Sequence, residues 1–148
     1  MDISLEWHRF DELPAALLYE VLRFRQAVFV VEQVSAYEDL DGRDQAALHL
    51  LSYIDGTLAG CLRLVVEEDR VRIGRLAVAR QYRGRGLAQR MMAEAFARIG
   101  RDHSPCPIAI SAQSYLVPFY AGLGFAPNSP EYDDGGVPHI DMVRPPLL

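Results

Sequence analysis

Between Val71 and Ile99 the apolar residues change period within an arginine-rich stretch. Val71, Ile73 and then Leu76-Ala77-Val78 read as a strand, whereas Leu87, Met91, Met92, Ala95, Phe96 and Ile99 follow helical spacing. The joint is Gln81-Tyr82-Arg83-Gly84-Arg85-Gly86-Leu87-Ala88. A strand that runs through two glycines into an amphipathic helix starts a crossover, which demands a layered α/β fold with a mixed sheet. The glycines let backbone N–H groups turn toward one point, and the helix N-terminus adds unsatisfied donors and partial positive charge. A phosphate suits that place, with Arg83 and Arg85 as charge-assisted partners. The dinucleotide fingerprint is excluded, because Gln89 stands where its third glycine belongs.

The remaining elements arrange themselves around this joint. Ile3 to Trp7 reads as a first strand. Asp11 is the expected N-cap of a helix whose apolar stripe is Leu17, Val21, Phe24, Val28 and Val31. Leu48–Ile54 and Leu58–Val66 flank Asp55-Gly56, a hairpin signal, and the strand at Val71 completes an antiparallel meander. Gly100 is expected to stop the second long helix. A short strand at Ile108–Ala112, a brief helix near Tyr115–Leu123 with Pro118 in its first turn, and strands from Phe125 and over Val137–Arg144 follow. The expected order is βαβββαβαββ, in one domain over residues 1–148.

Charge narrows the function. All 15 basic residues are arginine, which excludes Schiff-base chemistry on a lysine and a Walker-type phosphate loop. A net charge of −5 argues against non-specific nucleic-acid binding. Yet Arg70, Arg72, Arg75, Arg80, Arg83, Arg85 and Arg90 lie in a segment without acids. On charge alone that is either a solvated basic face or the site of a localised anionic ligand. The acidic loop from Tyr37 to Asp44 reads as solvated, or as an attractor for a cationic amine. No apolar run reaches the ~18 residues of a membrane span, and Met1–Phe10 lacks the order of a signal peptide, so a cytoplasmic protein is expected. Cys61 and Cys106 are too few for a zinc site or a disulfide framework, and neither has the setting of a nucleophile; no metal is expected.

Gln81-x-x-Gly84-x-Gly86 resembles the pyrophosphate-binding signature of the GNAT superfamily of acyl-CoA-dependent N-acyltransferases, and Tyr120-x-x-x-Gly124-Phe125 resembles its second motif. Val28-Phe29-Val30-Val31-Glu32-Gln33, Tyr37-x-Asp39-x-Asp41, His49 and Gly136-Val137-Pro138-His139-Ile140 look like the ElaA-like branch. The resemblance implies a three-layer fold with a splayed central sheet. Acetyl-CoA would be the co-substrate, with pantetheine along Leu76, Ala77 and Val78 and pyrophosphate on the amides of Arg83, Gly84, Arg85, Gly86, Leu87 and Ala88. Gln113 stands where many members have Asn. The partner implied is a small-molecule or peptide amine, with neither nucleic acid nor membrane; an edge strand near the C-terminus could pair in a homodimer.

Amide formation needs a base for the amine, a donor to the carbonyl oxygen and help for the departing thiolate. The resemblance implies the backbone near Leu76 as oxyanion donor and Tyr120 as acid. The strand from Ile73 to Val78 has no carboxylate, so the base falls to Glu32, His139, the less suitable His49, or a water relay. The expected activity is acetyl transfer to an amine in a ternary complex. The alternatives are an acyl-CoA sensor of the same fold without turnover, and a phosphate-binding protein that shares only the glycine turn.

Overall fold

The meander and the crossover both form. The computed structural model describes residues 1–146; Leu147 and Leu148, at the end of the domain expected over 1–148, lie outside the described residues. The strands are β1 (Ile3–Arg9), β2 (Leu48–Ile54), β3 (Thr57–Val66), β4 (Val71–Val78), β5 (Ile108–Gln113), β6 (Ala126–Pro127), β7 (Tyr132–Asp134) and β8 (Val137–Arg144). The helices are α1 (Ala15–Gln26), α2 (Leu87–Asp102) and the short α3 (Val117–Ala121). One mixed sheet has the order β1-β2-β3-β4-β5-β8-β6, with β7 also paired to β8. The C-terminal edge of the sheet is therefore formed by strands of two and three residues, a poor template for pairing with another chain.

Two cores make three layers. Leu50 and Leu51 are adjacent and both fully buried, and the pleat sends them to opposite faces. Leu50, Leu62, Ile73 and Ile110 pack under Met91, Met92, Ala95 and Ile99 of α2. Leu51, Leu58 and Cys61 pack under Val21, Val28 and Phe29 of the first helical segment. Burying side chains of this size contributes roughly 1.5–3 kcal/mol each, so both layers are held to the sheet.

β4 carries the irregularity that shapes the site. Arg63 lies opposite Gly74 while Cys61 lies opposite Ala77, so β4 holds one residue more than β3 between those pairs. Arg75, at φ +53°, takes up the extra residue. The side-chain phase then flips: Val71 and Ile73 face the α2 core, and Ala77, four residues beyond Ile73, faces the α1 core. β4 and β5 run parallel but pair only at Val71–Ile108 and Arg72–Ala109, after which they diverge.

Four local expectations change. Helix α1 starts after Pro14, not at Asp11, because the residue before a proline is barred from helical geometry; Leu13 is extended at ψ 118°. Residues Ala27–Glu32 continue the helix with wider π winding, which turns Phe29 inward and leaves Val31 65% exposed, off the stripe assigned to it. Helix α2 runs through Gly100 to Asp102. A glycine weakens a helix without ending it, and the Arg98–Asp102 pair at 2.7 Å supports the last turn. The fourth concerns the acidic loop, whose aspartates are paired with arginines although Glu38 and Leu40 to Gly42 are exposed. Arg25, only 2% exposed, donates to Asp39 at 3.0 Å and to Asp44 at 2.8 Å. Arg63 donates to Asp41 at 2.6 and 2.9 Å and to Asp44 at 2.9 Å, and Arg75 reaches Asp39 at 2.7 Å. Three arginines from α1, β3 and β4 thus neutralise three aspartates of the loop.

This cluster sets an acid limit on stability. Arg63 holds the Asp41 carboxyl well below the usual carboxylate range, and Asp44 is lowered by Arg25 and Arg63 against the opposing effect of burial. Their contribution is complete above the unfolded value of ~4 and is lost as pH falls through the depressed folded values. The melting temperature is expected to hold from pH 7 to about 5 and to fall by about 10 °C by pH 3. A circular-dichroism melt unchanged at pH 3 would show that the cluster adds no stability.

Candidate active site

Where β4 and β5 diverge, a cavity of about 780 Å³ opens between the π-helical turn, the two strands and β8. Leu76, Ala77, Val78, Arg83, Ala88, Gln113, Tyr120, Glu32 and His139 all border it. Gly84, Arg85, Gly86 and Leu87 lie beyond its rim. Gly84 and Gly86 sit at φ +76° and +80°, the left-handed region that favours glycine. Among the described residues an added Cβ would meet nothing within 4 Å at Gly84 and only Gln89 Oε1 at 3.6 Å at Gly86. The first α2 bond runs from Arg90 N to Gly86 O at 3.1 Å, which leaves the amides from Gly84 to Ala88 free for a ligand; the Arg83 amide, expected among them, instead donates to the Arg80 carbonyl at 3.3 Å and closes the turn after β4. Leu87 is buried in the core, so only its backbone can serve the turn.

The arginine-rich segment divides into two sets. Arg70 pairs with Asp69, Arg72 with Glu67, Arg75 with Asp39 and Asp41, and Arg83 with Glu32. Among the described residues Arg80, Arg85 and Arg90 form no ion pair; Arg85 lies over the Tyr82 ring at 5.9 Å. The free cations flank the glycine turn. Open amides, space above them and uncompensated positive charge fit the diphosphate of a nucleotide cofactor.

A family profile described as the acetyltransferase (GNAT) domain matches residues 15–144. The chain belongs to the GNAT family. A UPF0039 protein of Mycobacterium tuberculosis is 43% identical over 141 residues, covering 90% of this chain and 88% of its own. Crystal structures of Escherichia coli ElaA and of an acyl-CoA N-acyltransferase from Pseudomonas aeruginosa both superpose with a TM-score of 0.90 at 32% identity, covering 97% of this chain and 99% of theirs. The ElaA likeness places the chain on that branch of the GNAT family.

Within this cavity the predicted groups are engaged in ways the sequence did not announce. Arg83 bonds Glu32 with both arms, at 2.5 and 2.9 Å, and Nε donates to the Val78 carbonyl at 2.9 Å. This pairing holds the Glu32 carboxyl below its usual range. The Gln113 amide donates to Gln33 Oε1 at 3.1 Å, which links the end of the π-helical turn to the end of β5. Tyr120 is 8% exposed, edge-on to Phe119 and Phe125, and its hydroxyl makes no hydrogen bond among the described residues. Burial pushes its phenol up to about 12, so it stays protonated at neutral pH. His139 Nδ1 lies 2.7 Å from the Val137 carbonyl. A carbonyl only accepts, so Nδ1 carries a proton, and in the neutral ring the lone pair is on Nε2.

His49 stands apart. It is 4% exposed, bonds the Asp44 carbonyl at 2.9 Å and does not border the cavity. Burial lowers its pKa, which keeps it neutral. The Cys61 thiol, pushed by burial up to about 12, is inert.

The sequence reading missed the far end of the cavity. Ser111 and Asp141 face each other across β5 and β8, and Asp141 Oδ1 accepts from Ser111 at 3.2 Å and from Tyr132 at 2.6 Å. Period-two alternation was the available signal, because Ser111 and Asp141 lie two residues from Gln113 and His139 on the same faces. Arg43, Arg63 and Arg72 also border this end, and all three are paired with carboxylates.

Proposed function

We propose that the chain transfers the acetyl group of acetyl-CoA directly to an amine of a small molecule or peptide. The observation that carries the reading is the continuity of one cavity from beside the glycine turn, along bulged β4, to Tyr120 and His139. Bound acetyl-CoA supplies the acyl group as a thioester. Leu76 to Val78 line its path, and the amides from Gly84 to Ala88, with Arg80, Arg85 and Arg90, hold its phosphates.

The chain's own groups then divide the work. His139 Nε2 takes a proton from the ammonium before attack, or from the attacking amine as the C–N bond forms. An amide of the β4 bulge near Leu76 donates to the carbonyl oxygen, where negative charge develops. Tyr120 Oη donates a hydrogen bond to the sulfur as the C–S bond breaks. The test is release of thiol from acetyl-CoA across a panel of amines, with a no-amine control. Amine-dependent release supports the enzyme; tight acetyl-CoA binding with no release for any amine favours the sensor.

Replacement of His139 separates base from scaffold. His139→Ala is expected to lower kcat/KM by about 10²-fold, with a larger deficit at low pH, where more of the acceptor arrives as ammonium. A pH profile displaced downward by one constant factor would assign His139 to positioning only.

A further inference from the structure

The glycine turn and the π-helical turn are joined by one contact for which the chemistry above has no use. Arg83 opens the glycine turn and Glu32 closes the helical one, 51 residues earlier. Both line the cavity, and their side chains remain 38% and 25% exposed. Three of the five N–H donors of Arg83 are committed, two to Glu32 and one to Val78. The guanidinium best placed by sequence to meet a phosphate is therefore held by a carboxylate. Arg80 faces Glu32 from the turn after β4, and Tyr115 faces Arg83 from the segment after β5, but neither bonds the pair.

We infer that Arg83 is an exchange residue: the pyrophosphate of the bound cofactor draws it off Glu32, and the released carboxylate then holds the incoming ammonium. This inference rests on the acyl-CoA reading proposed above. A guanidinium fork suits phosphate as well as carboxylate, and a diphosphate brings more charge and more acceptor oxygens. A half-exposed ion pair is worth little, so parting it costs little. Glu32 is also in the right place to use its freedom. Its neighbour Gln33 bonds Gln113, whose cross-strand partner is His139, so a short chain of contacts leads from Glu32 toward the base. Linkage makes the coupling reciprocal: the amine binds more tightly once the cofactor is in place.

The experiment needs no turnover. CoA is titrated calorimetrically into the wild type, Glu32→Gln, Arg83→Gln and the double variant, with thermal melts to confirm folding. Glu32→Gln is expected to bind CoA about three- to fivefold more tightly, because no pair has to part. Arg83→Gln is expected to bind roughly 10-fold more weakly. On the Arg83→Gln background, Glu32→Gln should change nothing further. Glu32→Ala, run in parallel, carries the same expectation as Glu32→Gln. Equal or weaker CoA binding by both folded Glu32 variants would make the pair a fixed strut and overturn the exchange. Undiminished binding by Arg83→Gln would overturn it too. A wild type that takes up no CoA at all overturns the acyl-CoA reading itself, and the exchange with it.

Discussion

Gly86→Asp is expected to leave a folded protein that no longer binds CoA. Gly86 precedes α2 at φ +80°, where an L-residue costs about 1–2 kcal/mol, and among the described residues an added Cβ would approach only Gln89 Oε1, at 3.6 Å. The fold can accommodate that strain. A carboxylate just before a helix also meets the free amides and the positive end of the dipole, so the new side chain settles where a phosphate otherwise would. Loss of two charge-assisted hydrogen bonds at about 1.5–3 kcal/mol each, together with like-charge repulsion, amounts to a 10³-fold or greater loss of affinity. Gly86→Ala brings the strain without the charge, and about a 10-fold loss is expected. Calorimetry and CoA-induced thermal shifts read both. A Gly86→Asp protein that CoA still stabilises would falsify the cradle.

Tyr120→Phe is expected to reduce turnover about 10²-fold while CoA affinity barely moves. The substitution keeps the ring, which is held edge-on by Phe119 at 5.1 Å and Phe125 at 6.0 Å, and deletes one hydroxyl. That hydroxyl has no partner among the described residues, so its removal orphans no other buried group. With the phenol raised to about 12 and a simple thiol near ~8.5, complete proton transfer to the thiolate is uphill. Tyr120 therefore acts by donating a hydrogen bond as charge reaches the sulfur, and the proton stays on oxygen. The defect should shrink with acyl donors whose thiols are more acidic, because their departure needs less help. Equal turnover of variant and wild type, measured where chemistry is rate-limiting, would leave Tyr120 a packing residue.

Elements with one dominant local cause were legible in the sequence. The meander, the crossover and the two cores follow from apolar period, and Gly84 and Gly86 announce the turn because no other residue adopts that backbone so readily. Features set by groups distant in sequence were not legible. Arg25 looks like a surface residue on a helix, and its burial depends on Asp39 and Asp44 folding back over α1. The π winding at Ala27–Glu32 leaves no periodic mark, since the preceding stripe continues through Val28 before Val31 turns outward. The pairing of Arg83 with Glu32 joins two residues that were each assigned a different job. Asp41 could be read as bait for an amine because nothing in the sequence says that Arg63 and Arg75 already occupy it.

Every cation at the cavity wall is a guanidinium, as are all 15 basic side chains of the chain. A lysine in those positions would bring a primary amine, with pKa ~10.4, next to an activated acyl group, and a buried lysine readily loses its proton and becomes nucleophilic. Arginine keeps its charge above pH 12 and offers no lone pair for attack. The ion pairs that shape this pocket are thus built from groups that cannot themselves be acylated. Under the proposed chemistry no side-chain amine of the chain competes with the acceptor, and repeated exposure to the donor does not wear away the charge pattern that forms the site.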